Sequence, residues 1–202
     1  MNGETSFHFS EAYGAPEPWR FFDASGLRVV RFDTRFTVYR IPTGTRGPAA
    51  RSRVRSFLRA ELRRIAGRAI PLRESKAGPE VTEIIHGCPI SVSISYTGAE
   101  AWLALGWGGS VGIDALEIQA IPEWYPVAST YLGPIVSERL RNSSARELDF
   151  AREWTGFEAR LKLHGLSLAE GVEVPAAALC EARFGAVVVA VAVRPGRHRS
   201  GA

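Results

Sequence analysis

The stretch Pro89-Ile-Ser-Val-Ser-Ile-Ser-Tyr-Thr-Gly98 decides the fold. Ile90, Val92, Ile94 and Tyr96 alternate with Ser91, Ser93 and Ser95. That period of two belongs to a β-strand with one apolar and one polar face. Thr97-Gly98 reads as a turn, and residues 101–107 as a second, apolar strand. Gly108-Gly109 is a two-residue hairpin signal, and residues 111–116 form a third strand bearing Asp114, with Glu117 just beyond.

Upstream, residues 50–66 read as an amphipathic helix. Val54, Phe57, Leu58, Leu62 and Ile65 recur at spacings of three and four, arginines fill the remaining faces, and Gly67 fits a C-cap. Before it lie expected strands at 28–32 and 35–41, with a turn at Asp33 and Thr34. Residues 42–49 read as a loop, and 67–89 as irregular. Downstream, a helix is expected over 128–142 with a break at Gly133-Pro134. A second begins at Ser144, which forms a capping-box pattern with Glu147, and stops at Gly165. Two closing strands are expected at 174–181 and 186–193. Each half holds a helix and a pair of apolar strands, a coarse echo that predicts two lobes, 1–108 and 109–194, followed by a loose basic tail over 195–202.

Of 202 residues, 46% are hydrophobic and 23% charged, which excludes collagen-like, coiled-coil and wholly disordered chains. The longest apolar run, 186–193, is too short to cross a bilayer, so no membrane partner is expected. Acidic Glu4 and Glu11 with no apolar h-region argue against a signal peptide. Cys88 and Cys180 form no CxxC, and a reducing cytoplasm is expected. Lysine occurs only at positions 76 and 162, so the net charge of +4 comes almost wholly from arginine. A basic chain suits phosphates, acidic proteins or nucleic acid. No RNP1 or zinc-finger motif accompanies the charge, and nucleic acid is not expected as a partner.

Three residues carry the chemistry. Asp114 lies near a strand end, and Glu158 and Lys162 are four apart, on one helix face. Two carboxylates from a strand and a helix can together hold magnesium, which fills its other positions with water and substrate phosphate. A lysine one helical turn away can neutralise that phosphate. The set points to phosphoryl-type transfer. Taken singly, each residue has a plainer reading: a surface ion pair for Glu158 and Lys162, a strand terminus for Asp114, and the wet face of a sheet for the serine row.

In order and separation, Ser95-Tyr96, Gly112-Ile113-Asp114, and Trp154, Glu158, Ala159 and Lys162 resemble the motifs of the Sfp-type 4′-phosphopantetheinyl transferases. The resemblance covers roughly residues 50–170. It implies an α/β (α+β) fold of two similar lobes with a pseudo-twofold, each a small, mainly antiparallel sheet packed on a helix. It also implies transfer of 4′-phosphopantetheine from coenzyme A to a serine of an acyl or peptidyl carrier protein, by a monomer. Asp114 and Glu158 would bind Mg2+, joined by Glu117; Glu158 would be the base, and Lys162 would neutralise the phosphate. Ser95, Tyr96 and Lys76, with Arg51, Arg53 or Arg55, would meet coenzyme A. The chain departs from the pattern at Tyr96, which replaces a histidine. It departs again at Leu116, which replaces a carboxylate, and at Phe157, which replaces a lysine. These departures keep a second expectation open: a non-catalytic relative that binds coenzyme A or a carrier protein.

Overall fold

The computed structural model describes residues 7–9, 20–24, 27–32, 36–75 and 78–195. The chain is α+β, with antiparallel sheets and four helices among the described residues. The elements run β1 (Phe7–Phe9), β2 (Arg20–Ala24), β3 (Leu27–Phe32), β4 (Phe36–Pro42), α1 (Pro48–Ala66), β5 (Leu72–Ser75), β6 (Gly78–Val81) and β7 (Ile84–Ile85). They continue with β8 (Cys88–Thr97), β9 (Glu100–Trp107), β10 (Gly109–Glu117), α2 (Trp124–Tyr131), α3 (Pro134–Arg141), α4 (Arg146–His164), β11 (Ala178–Phe184) and β12 (Val187–Pro195).

The periodic segments form as their patterns dictate. In α1, Val54, Leu58 and Leu62 are fully buried and Gly67 closes the helix at φ 70°. Each such side chain contributes roughly 1.5–3 kcal/mol of burial. The break at Gly133, φ 86°, separates α2 from α3. Four expectations change. The first closing strand runs over Ala178–Phe184 rather than 174–181, and the helix before Gly133 starts at Trp124 rather than at 128. The stretch 67–89 read as irregular contains β5, β6 and β7. The entry to α4 is bracketed by Ser143 rather than Ser144: the Ser143 hydroxyl accepts the Ala145 N–H and donates to Asp149. The expected turn at Asp33-Thr34 and the tail over 196–202 lie outside the described residues.

One sheet has the order β2-β3-β4-β9-β8-β7, another the order β1-β11-β12-β10, and β5-β6 is a separate pair. Both large sheets use one local plan. The strand before the long helix (β4 or β10) pairs with the second strand of a hairpin that follows that helix (β9 of β8–β9, β12 of β11–β12). The chain passes from one sheet to the other at Gly108, while β1 joins the second sheet beside β11.

Burial orders the layers. Tyr39, Ile41, Leu103 and Leu105 pack on α1. The opposite face of that sheet, with Phe36, Val38, Trp102 and Ala104, meets Val111, Ile113, Ala182, Val189 and Val191 of the second sheet. Ala190 and Ala192 turn outward to Ala159 and Leu163 of α4. The result is helix, sheet, sheet, helix. No helix among the described residues is long and apolar enough to cross a membrane.

Candidate functional site

The site grows from a seam between the two sheets. Among the described residues, and beyond its short pairing with β7, β8 has β9 as its one ladder neighbour, and β10 has β12. The serine row of β8 bridges these two edges. Ser91 Oγ donates to the Gly109 carbonyl at 2.8 Å. Ser93 Oγ accepts the Ile113 N–H at 3.0 Å. Ser95 Oγ accepts the Ala115 N–H at 3.2 Å and donates to Asp114 Oδ1 at 2.8 Å. Backbone groups of an edge strand need partners when buried, and here hydroxyls supply them. The serines are therefore a joint, not a wetted face.

Asp114 is buried on the α4 side of β10. Lys162 Nζ donates to its Oδ1 at 2.7 Å and to the Ile113 carbonyl at 3.1 Å. Glu158, one turn earlier on α4, is half-buried and accepts no hydrogen bond among the described residues. Burial raises its carboxyl above the ordinary value; the negative Asp114 adds to the rise and Lys162 opposes it. α4 reaches this close because position 112 is glycine, whose Cα lies directly against the α4 backbone. The fold thus gathers Asp114, Glu158 and Lys162 at one place.

Two carboxylates held in mutual repulsion, one without a hydrogen bond, fit a hard divalent cation completed by water and phosphate. Glu117 does not join them. The β10–β12 register pairs every residue from Gly109 to Glu117 singly, with no bulge, so Glu117 falls on the opposite face from Asp114. Its carboxylate lies over Gly98 instead. Among the described residues, no three histidine, cysteine or acidic side chains gather as a metal cluster.

Just past Asp114, a cleft of about 350 Å³ opens at the ends of β8 and β10. Its lining includes Arg46, Gly47, Arg51, Tyr96, Glu117 and Gln119. Gly47 is the N-cap of α1 and makes no side-chain cap, so the positive end of the helix faces this cleft together with two arginines. That combination favours anions, and the carboxylates of Glu100 and Glu117 in the same lining oppose it. Arg46 and Gln119 lie beyond what the sequence motifs singled out, since nothing local links a loop before α1 to the end of β10.

The remaining expected contacts divide. Arg51 and Tyr96 line the cleft. Burial raises the Tyr96 phenol, while Arg55 and Arg51 oppose the rise. Arg55 is already held by both oxygens of Glu74, at 2.6 and 2.7 Å. Arg53 donates to the Pro42 carbonyl at 3.2 Å and does not line the cleft. Ser95 is in the seam, with its hydroxyl proton given to Asp114. Lys76 lies outside the described residues.

No protein-family model matches the chain, and no curated protein matches it by sequence.

Proposed function

We propose that the protein transfers the 4′-phosphopantetheine group of coenzyme A to a serine hydroxyl of an acyl or peptidyl carrier protein. The observation that carries this reading is the convergence of Asp114, Glu158 and Lys162 beside an arginine-lined cleft. The strand–helix–hairpin plan repeated in the two sheets supports two lobes related by a pseudo-twofold, with the joint at Gly108-Gly109.

In this reading Asp114 and Glu158 hold Mg2+, which when bound neutralises charge on the pyrophosphate. Glu158 removes the proton of the carrier serine, a task suited to a carboxyl raised above its ordinary value. The serine oxygen forms the new bond to the phosphorus that carries pantetheine. The bridging bond of the pyrophosphate breaks, and adenosine 3′,5′-bisphosphate leaves. Lys162 has two of its three N–H groups committed to Asp114 and Ile113, and presents the third to the phosphate. Arg51 and the start of α1 receive the anionic adenosine end, with Tyr96 as a neutral donor. The basic chain suits an acidic carrier surface. A cytoplasmic monomer accompanies this reading.

A second reading, a relative that binds coenzyme A or a carrier without transfer, is favoured by the position of Glu117 on the face opposite Asp114, which leaves β10 one carboxylate for a cation.

The test mixes the purified protein with coenzyme A, Mg2+ and several apo carrier proteins, and reads intact masses. Gain of one phosphopantetheine, absent with EDTA, supports transfer. Coenzyme A binding without mass gain on any carrier selects the binding-only relative. Absence of both mass gain and coenzyme A binding overturns transfer and leaves the relative that binds a carrier alone.

A further inference from the structure

We infer that Ser95 is a positioning residue for Asp114, and not a contact for coenzyme A. The inference deepens the proposed function and rests on it for the nature of the cation. Ser95 is 5% exposed, and its hydroxyl is engaged on both sides: it accepts from the Ala115 N–H and donates to Asp114 Oδ1. It is absent from the lining of the arginine-bearing cleft, to which β8 contributes Tyr96 and Thr97. A hydroxyl has one proton, and this one is already given to a carboxylate.

The bond joins β8 of one sheet to β10 of the other, so it fixes Asp114 across the seam. Lys162 Nζ binds the same oxygen, Oδ1, and no hydrogen bond reaches Oδ2 from the described residues. Two donors on one oxygen leave the other for a cation. Lysine is a flexible stem and fixes a point, whereas Ser95 is a short side chain on a paired strand and fixes the plane of the carboxylate. Groups that orient a ligating carboxylate in this way typically alter metal affinity about 10- to 100-fold when removed.

The test uses the full chain as wild type, Ser95→Ala and Ser95→Thr. Mn2+ binding is read by water proton relaxation, and coenzyme A binding by calorimetry without metal. Ser95→Ala is expected to weaken Mn2+ about tenfold or more with coenzyme A affinity unchanged, and Ser95→Thr to restore it. In the transfer assay the alanine variant lowers kcat and spares the KM for coenzyme A. Unchanged Mn2+ binding, or a loss confined to coenzyme A, overturns the inference. If the wild type takes up no Mn2+, the metal-dependent reading falls on its own, and hydrogen exchange in the metal-free protein decides Ser95. Lost protection at the Ala115 amide in Ser95→Ala sustains the positioning role, and unchanged protection overturns it.

Discussion

A methyl group on Gly112 would meet the Ala159 carbonyl oxygen at 2.0 Å and the Leu163 nitrogen at 2.5 Å. β10 and the backbone of α4 touch there without any side chain between them. Both clashing atoms are backbone, so no rotamer change relieves them. Gly112→Ala therefore has to push α4 away from β10, and with it Glu158 and Lys162 away from Asp114. The expected cost is about 1–3 kcal/mol, the range for overpacking a tight contact. Urea denaturation measures the loss of stability. Separation of Lys162 from Asp114 is expected to cut phosphopantetheine transfer by more than the stability loss accounts for, when the assay is run where the variant is folded.

Glu158→Gln separates chemistry from folding. The carboxylate is half-buried, accepts no hydrogen bond among the described residues and faces a like charge on Asp114. Removing its charge relieves repulsion, so the denaturation midpoint is expected to stay level or rise slightly. Transfer is expected to fall by at least about 100-fold, the scale of a lost general base. Burial and the neighbouring Asp114 also predict that in the metal-free protein Glu158 titrates above the ordinary value of 4.5, which carboxyl NMR checks. Full transfer by the glutamine variant removes Glu158 from both its proposed roles.

Arg51 and Arg53 are neighbours in sequence with different predicted effects. Arg51 lines the cleft, while Arg53 bonds the Pro42 carbonyl outside it. Arg51→Ala is expected to weaken coenzyme A about tenfold, the equivalent of one charged hydrogen bond of about 1.5 kcal/mol. Arg53→Ala is expected to leave it unchanged. Calorimetry on the two variants, repeated at low and high salt, checks the difference. Equal effects would mean that general positive charge, and not the cleft, attracts the ligand.

Glu61 sets a pH dependence unrelated to the site. Its carboxyl is held below the ordinary value, first by Arg64 and then by the Tyr39 hydroxyl, which donates at 2.7 Å. Burial opposes the shift. A carboxyl lowered in the folded state contributes stability that is complete above its unfolded value and is lost as pH falls through its folded value. Stability of the wild type is therefore expected to decline below about pH 4.5, and Glu61→Gln to flatten that decline. Thermal denaturation of both proteins between pH 3 and pH 7 gives the comparison, at roughly the resolution that linkage requires. Parallel curves would show that Glu61 is not the responsible group.

Much of the fold could be read from local pattern. The spacing of Val54, Leu58 and Leu62 defines one face of α1, and that face is buried. The break at Gly133 appears where the residues put it, whereas β8 keeps its period of two but covers its serine side as well, with Ser95 buried and Tyr96 exposed. The pairing of Glu158 with Lys162 on one side of α4 follows from the helical repeat alone. Strand alternation sets Glu117 off the Asp114 face only where no bulge intervenes, and it is the observed β10 ladder that has none.

What the sequence determined by itself is the set of elements, the face each one buries, and which chemical groups share a face, because these depend on backbone periods of two and 3.6 residues. Only the tertiary structure decided what those faces meet. That the serine row of β8 lies against β10, that Ser95 holds Asp114, that Arg46 shares a cleft with Gln119, and that β1 pairs with β11 are all contacts between distant segments. Their reason is the joining of two sheet edges. Unpaired backbone groups on β8 and β10 require partners once buried, and the packing of the two sheets brings the serine hydroxyls within reach of them.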